Sequence, residues 1–441
     1  MLLEQVIIYT GVLLFCALVV FFYLRKEKKN SQIVEAKIEQ AKQDGIHEPV
    51  SLYPAINLDT CIKSGACVEA CPEKDIIGIM HGRGTLIKAS SCVGHGACFH
   101  ACPVEAISLV IGTAKRGVDL PHVNEYYESN VPGIYIAGEL GGMGLIKNSV
   151  EQGQKAVENI VNSGLKKGAS EYDLIIVGAG PAGIAASLMA KKLGLNFLTL
   201  EQDSLGGTVF NFPRSKVVMT APMDLPLHGK VKLFDTSKQE LLDLWTSVMD
   251  KNNITVRERT KVESIQPEGN GFVVFTNKEE EFRTQTVLLA IGRRGSPRKL
   301  GIPGEQLEKV AYRLLEPEII FNKKVIVVGG GDSAVEAALS LADENEVVLS
   351  YRKDAFSRIK PKNREKLNYA IGNEKLEVIY SSNLVEIFPD KVDLKTKTGR
   401  HKILQNDLVY IFAGGELPTQ FLKKAGVQIT KRFGYTMRKY G

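Results

Sequence analysis

No cysteine follows Cys102 in this chain of 441 residues, and only Cys16 precedes Cys61. Chemistry in the last three quarters of the chain must therefore proceed without a thiol, and no disulfide can brace it. An excess of one charge is missing as well. The 56 Lys and Arg against 50 Asp and Glu leave a formal +6, with both signs interspersed, which argues against a nucleic-acid surface. Long apolar runs are scarce, with one exception near the start.

That exception is Val6 to Leu24, an uncharged stretch long enough as a helix to cross about 30 Å of hydrocarbon. Only Glu4 carries charge before it and no small-residue cleavage site follows, so it predicts an uncleaved anchor rather than an excised signal peptide. Arg25, Lys26, Lys28 and Lys29 follow at once. By the positive-inside rule they predict a single-pass protein of the cytoplasmic membrane, its remaining domains on the cytoplasmic side. Residues 30–43 (NSQIVEAKIEQAKQ) read as a short charged helix or tether without chemistry.

The six remaining cysteines form an internal duplication. CIKSGACVEACPEKDI and CVGHGACFHACPVEAI align at an offset of 31, pairing Cys61 with Cys92, Cys67 with Cys98, Cys71 with Cys102 and Pro72 with Pro103. Cytosolic thiols gathered so tightly point to metal rather than disulfides.

Two glycine-punctuated turns carry the second signal. YDLIIV from Tyr172 runs into Gly178, Gly180 and Gly183 at G-x-G-x-x-G spacing, and Glu201 follows about twenty residues on, where a carboxylate takes ribose hydroxyls. Such a turn lets backbone approach a pyrophosphate and sets its charge on the N–H groups opening the next helix. KVIVV leads into the second turn at Gly329, Gly331 and Ala334. Beyond it VVLSYRK offers Ser350, Tyr351, Arg352 and Lys353 in place of an acid, and with Arg358 these cations favour the 2′-phosphate of NADPH over NADH.

Each cysteine half resembles the C-x2-C-x2-C-x3-C-P run of bacterial two-cluster ferredoxins, with the second Cys replaced by Ser64 in one half and His95 in the other. The resemblance implies one site of Cys61, Cys67 and Cys102 with Ser64 nearby, and another of Cys71, Cys92 and Cys98 with His95 nearby. Three outcomes stay open: 3Fe-4S clusters on three thiolates, 4Fe-4S clusters completed by Ser or His, or a ferredoxin fold whose clusters are lost.

VPGIYIAGELGGMGLIKNSVEQGQKAVENIV, from Val131, resembles the segment of thioredoxin-reductase-like flavoproteins that touches the flavin and starts a helix at its ring. The resemblance assigns FAD contacts to Gly138, Glu139 and Ile146, and to Gly207 after the Gly178 turn. In that family the segment closes the chain, whereas here it precedes Gly178, and Leu408 to Val427 resembles the return strand into the flavin domain. A circular permutation follows. The dithiol of thioredoxin reductases has no counterpart in AYRLLEPEIIFNKK, so reduction of thioredoxin through a protein disulfide is not expected.

The expected fold is α/β: two Rossmann-like dinucleotide-binding domains, for FAD and NAD(P), a small α+β ferredoxin-like domain and one N-terminal transmembrane helix. Domains are expected at 1–28 (anchor), 29–50 (linker), 51–111 (dicluster ferredoxin-like), 112–168 (permuted part of the FAD domain), 169–295 (FAD), 296–410 (NAD(P)) and 411–441 (return segment of the FAD domain). The expected activity passes electrons between NADPH, FAD and iron-sulfur centres, in either direction, to or from an external redox protein or quinone, with no catalytic acid or nucleophile needed. Rivals are a flavin-dependent quinone or small-disulfide reductase with a structural ferredoxin domain, and a non-catalytic NADPH-sensing adaptor. The related flavoproteins suggest a homodimer by analogy.

Overall fold

The computed structural model describes residues 2–49, 52–73, 75–142, 144–212, 217–220, 222–233, 235–293, 296–356, 359–416 and 418–438. They form two compact units, Met1–Val118 with Arg432–Gly441, and Asp119–Lys431.

In the first unit a single helix runs unbroken over Leu2–Gln43. Its sequence holds no proline and only Gly11, so nothing interrupts the backbone hydrogen bonds where an anchor and a separate charged helix or tether were expected. The first half is exposed, apolar and long enough to cross a membrane. The second half is docked: Glu27, Ser31, Val34, Lys37 and Ala41 recur at helical spacing as its covered stripe. The helix ends in a Schellman turn, with Gly45 at φ 66° and the Ile46 N–H donating to the Ala41 carbonyl at 2.9 Å.

The cysteine duplication builds two like halves. Gly65 and Gly96, equivalent in the repeat, stand at φ 75° and 77° and open the short helices Ala66–Glu69 and Ala97–Ala101. Tyr53–Ile56 pairs antiparallel with Ile107–Ile111, and Ile77–Met80 with Arg83–Leu86. Tyr435–Arg438 adds to the free edge of Ile107–Ile111, with Tyr435 opposite Ile111. The strand Tyr435–Arg438 therefore belongs to the ferredoxin-like unit, where the sequence reading expected all of 411–441 in the flavin half.

In the second unit a seven-stranded sheet runs Val256–Arg257, Phe197–Leu200, Tyr172–Val177, Glu281–Leu289, Gly271–Thr276 and Val262–Glu268, with Ile134–Ile136 joining off that path. Val287 pairs with Ile175 on one side and with Ile134 on the other, both in parallel. The upstream strand thus sits in the same sheet as the Gly178 turn, as the permuted reading expects. Ile134, Ile136, Ile175, Val287 and Leu289 share one core with Leu422 and Val427 from the C-terminal region.

A second, five-stranded parallel sheet comprises Val310–Ala311, Leu408–Ile411, Lys324–Val328, Glu346–Tyr351 and Leu376–Tyr380. Leu408–Ile411 corrects the expected return strand. It lies between Val310–Ala311 and Lys324–Val328, because its alternate apolar residues fill the nicotinamide-side core rather than the flavin sheet. The return itself is made by Gly415–Glu416, paired with Ser296–Pro297, and by the helix Thr419–Lys424.

Candidate functional site

The Gly178 turn and the upstream segment meet around a cavity of about 1150 Å³. Gly178, Gly180, Glu201, Gly207, Gly138, Glu139 and Ile146 all line it. Gly183, the remaining residue expected there, stands behind the turn. A methyl on it would lie 1.8 Å from the Gly178 carbonyl oxygen, so glycine is what lets the helix Pro181–Lys192 close on its strand.

Glu201 is buried, and burial pushes its carboxyl up from the ordinary value of 4.5 against the pull of backbone N–H donors. Its Oε2 accepts from Ala179 N–H at 2.7 Å and its Oε1 from Asp203 N–H at 2.9 Å. Each oxygen keeps lone pairs for a sugar hydroxyl.

Across the cavity Gly138, at φ 83°, donates its N–H to Gln152 Oε1 at 2.9 Å. The helix Ile146–Asn162 begins at the cavity wall without a side-chain cap, so the N–H groups of its first turn are left for a ligand. The sequence reading missed Asp203 and Arg313 on the same wall. Arg313 binds Asp203 Oδ2 at 3.0 Å and Asn211 Oδ1 at 2.8 Å, joining the nicotinamide side to the cavity. Their separation of 110 positions gives no local signal.

At the second turn, Gly329 has φ 148°, and a methyl there would stand 2.7 Å from the Phe412 carbonyl oxygen and 2.9 Å from the Ala334 methyl. Gly331 caps the helix Asp332–Leu341. Arg352 and Lys353 lie exposed just past the strand Glu346–Tyr351. Ser350 is turned inward, its hydroxyl 2.8 Å from that of Ser382, and Tyr351 stacks on Phe356. Arg358 lies outside the described residues.

The cysteines gather as the ferredoxin spacing expects. Cys61, Cys67 and Cys102 line one small cavity with Ser64, walled by Ile56, Ile62 and Ile79. Backbone N–H groups of Gly84 and Ala106 donate to Cys61 and Cys102. Cys71, Cys92 and Cys98 form the second group. Burial, with repulsion from neighbouring thiols, pushes Cys92 up to about 11 and Cys98 up to about 12. Among the described residues no three His, Cys, Asp or Glu converge on a single ion, and the duplicated ferredoxin spacing suits shared iron-sulfur ligation better than zinc.

His95 stands beside the second group with Nε2 3.9 Å from Cys71 Sγ, and its Nδ1 accepts from Ala97 N–H at 3.0 Å. Burial pushes its pKa down, favouring the neutral ring, and a neutral ring that accepts at Nδ1 carries its proton on Nε2, on the side of the sulfur. Glu73 was not anticipated. Its Oε1 is buried without a partner, and its charge acts on Cys71, Cys92 and His95.

A flavin-sized cavity at the first glycine turn, with a second glycine turn opening a helix from its own parallel sheet, defines a two-dinucleotide flavoprotein fold. The chain belongs to the pyridine nucleotide-disulphide oxidoreductase family, which matches residues 175–438, and a 4Fe-4S dicluster domain matches residues 53–103. It is 28% identical over 266 residues to the bacilliredoxin reductase Bdr of Bacillus subtilis, covering 59% of this chain and 82% of that protein. A ferredoxin–NADP reductase of Ignicoccus hospitalis is 32% identical over 185 residues, 42% of this chain and 57% of that protein. The bacillithiol disulfide reductase Bdr from Bacillus cereus superposes with a TM-score of 0.54 at 26% identity, covering 61% of this chain and 85% of that chain. The protein is thus a flavin-dependent NAD(P)H oxidoreductase carrying an iron-sulfur domain.

Proposed function

We propose that this chain is a membrane-anchored, NADPH-dependent oxidoreductase that moves electrons between nicotinamide, FAD and two iron-sulfur sites. One observation supports this most strongly: the flavin-lining residues and both three-cysteine groups occur in one chain, and no thiol accompanies the flavin cavity. Bound flavin takes both electrons of a hydride and releases them singly, as iron-sulfur centres require.

The residues divide the work. Glu201 and the turn at Gly178 hold ribose and pyrophosphate, with Gly183 allowing the turn to close. Gly138, Glu139 and Gly207 border the flavin, and the helix start at Ile146 sets partial positive charge where the flavin gains negative charge. Gly329, Gly331 and Ala334 seat the nicotinamide dinucleotide, while Arg352 and Lys353 are free to pair its 2′-phosphate. Cys61, Cys67 and Cys102 hold one cluster, and Cys71, Cys92 and Cys98 the other.

At the second cluster His95 fits best as a donor from Nε2 to Cys71. To ligate iron through that nitrogen, the ring would have to shed the proton that its bond from Ala97 keeps there. Ser64 and Glu73 then supply the oxygens available where a fourth thiolate is missing.

In the rival, flavin reduces a quinone or small disulfide directly and the ferredoxin domain is structural; the absence of cysteine after Cys102 rules out only a relay through a protein dithiol beside the flavin. Anaerobic purification with iron, sulfide and FAD analysis, followed by titration with NADPH and NADH, tests the proposal. Iron that stays oxidised while NADPH bleaches the flavin would favour the rival.

A further inference from the structure

The anchor helix fixes the depth of one cluster site. Because Leu2–Gln43 is continuous, every residue docked on its second half stands at a set height above the apolar run that ends at Leu24. Glu27 comes three residues later, about 4.5 Å along the axis, and Ser31 about 10 Å along. The headgroup layer on each side of a bilayer is about 5–8 Å thick.

The residues meeting the helix at that height belong to the first cluster site. Lys63 Nζ bonds Glu27 Oε1 at 3.1 Å. Its aliphatic stem lies across the turn at Gly82, and the next residue in that turn, His81, donates its N–H to Ser31 Oγ at 3.1 Å. Lys63 sits between Cys61 and Ser64, and Ile62 beside it is 60% exposed while also walling the cluster cavity. Arg25, Lys26, Lys28 and Lys29 on the helix, with Lys63 and the exposed Arg83, make this level a basic collar suited to anionic headgroups.

We infer that the Cys61–Cys67–Cys102 site faces the bilayer surface through Ile62 and exchanges electrons with a quinone dissolved in the membrane. The inference rests on the proposed function and names the partner of its first cluster. At the level of Glu27 and Lys63 a soluble protein would meet the headgroups first, whereas a lipid-soluble quinone already has its polar ring there. The step balances as NADPH, one proton and quinone giving NADP and quinol. A cluster held by Cys61, Cys67 and Cys102 would pass the two electrons singly, the proton left by the hydride would be released on the flavin side, and both quinol protons would be taken from water at the interface.

The test lengthens the helix without touching the site. Seven helix-forming residues inserted between Leu24 and Arg25 raise the docked unit by about 10 Å and keep its facing. Full-length protein of both kinds is placed in phosphatidylethanolamine–phosphatidylglycerol vesicles holding a long-chain benzoquinone. The wild type is expected to oxidise NADPH with quinol formation. The lengthened protein is expected to lose this to the quinone-free rate, while NADPH reduction of its iron-sulfur EPR signal and of soluble ferricyanide is retained. Quinol formation unchanged by the insert, or absent from the wild type while NADPH still reduces the clusters, overturns the inference and leaves the proposed function standing. Clusters that NADPH fails to reduce overturn both.

Discussion

Gly153 meets the carbonyl of Ala182 so closely that a methyl on Gly153 would stand 2.1 Å from the oxygen. Gly153 lies in the helix Ile146–Asn162, which comes early in the chain, and Ala182 in the helix that opens after Gly178. The permuted segment and the main flavin fold are therefore pressed together at backbone distance. Gly153→Ala should destabilise the protein by about 1–3 kcal/mol through overpacking and lower the FAD retained on purification. Gly372→Ala, where the added methyl meets nothing within 4 Å, should leave both unchanged or slightly improved. Melting followed by flavin fluorescence reads both, and equal effects of the two changes would count against the packing argument.

Glu201 should show itself in two ways. Removing its charge as Glu201→Gln should weaken FAD binding by about 1.5–3 kcal/mol, the range for hydrogen bonds to a charged group. In FAD-free protein the sign reverses. A carboxyl whose folded pKa is raised contributes stability that is present below 4.5 and fades as pH rises through the folded value. Glu201→Gln should therefore gain on the wild type in urea titrations stepped upward from pH 4.5. A stability difference flat across that interval would show that Glu201 is not buried as the cavity places it.

The proposed preference for NADPH rests on Arg352 and Lys353. Replacing both with Ala should raise KM for NADPH about tenfold to a hundredfold, the equivalent of about one charge-assisted hydrogen bond. KM for NADH should hardly move. Steady-state kinetics with both coenzymes decide this, and parallel losses would assign the cations to general binding.

At the second cluster, His95→Cys restores the missing cysteine of the repeat. It should change the EPR signal of the reduced protein and raise bound iron if three thiolates hold that cluster now. Nitrogen-15 labelling of histidine separates the roles: a ligand gives strong coupling to the cluster spin, whereas a hydrogen-bond donor to Cys71 gives only weak coupling.

What could be read from the sequence was local. The glycine turns, the acid at Glu201 and the cysteine duplication work through neighbours in the chain, so spacing alone reveals them. The permuted strand was legible because Gly138 and Glu139 carry a family signature, and its partner Val287 confirms it in the sheet. What escaped depends on distant pairing. The strand Tyr435–Arg438 completes the sheet edge at Ile107–Ile111 through backbone bonds that no side-chain pattern announces. The docked half of the long helix hid behind Glu27, Ser31 and Lys37, polar residues whose bonds to Lys63, His81 and Asp75 make a stripe that reads from sequence as solvated.

The central claim is that NADPH reduces flavin and iron-sulfur centres in one protein. Anaerobic titration of the purified chain with NADPH, followed by absorbance and EPR in the same samples, tests it most directly. The flavin is expected to bleach while a reduced iron-sulfur signal grows. Flavin bleached while the iron-sulfur centres remain oxidised, or a preparation holding FAD and no iron, would contradict it.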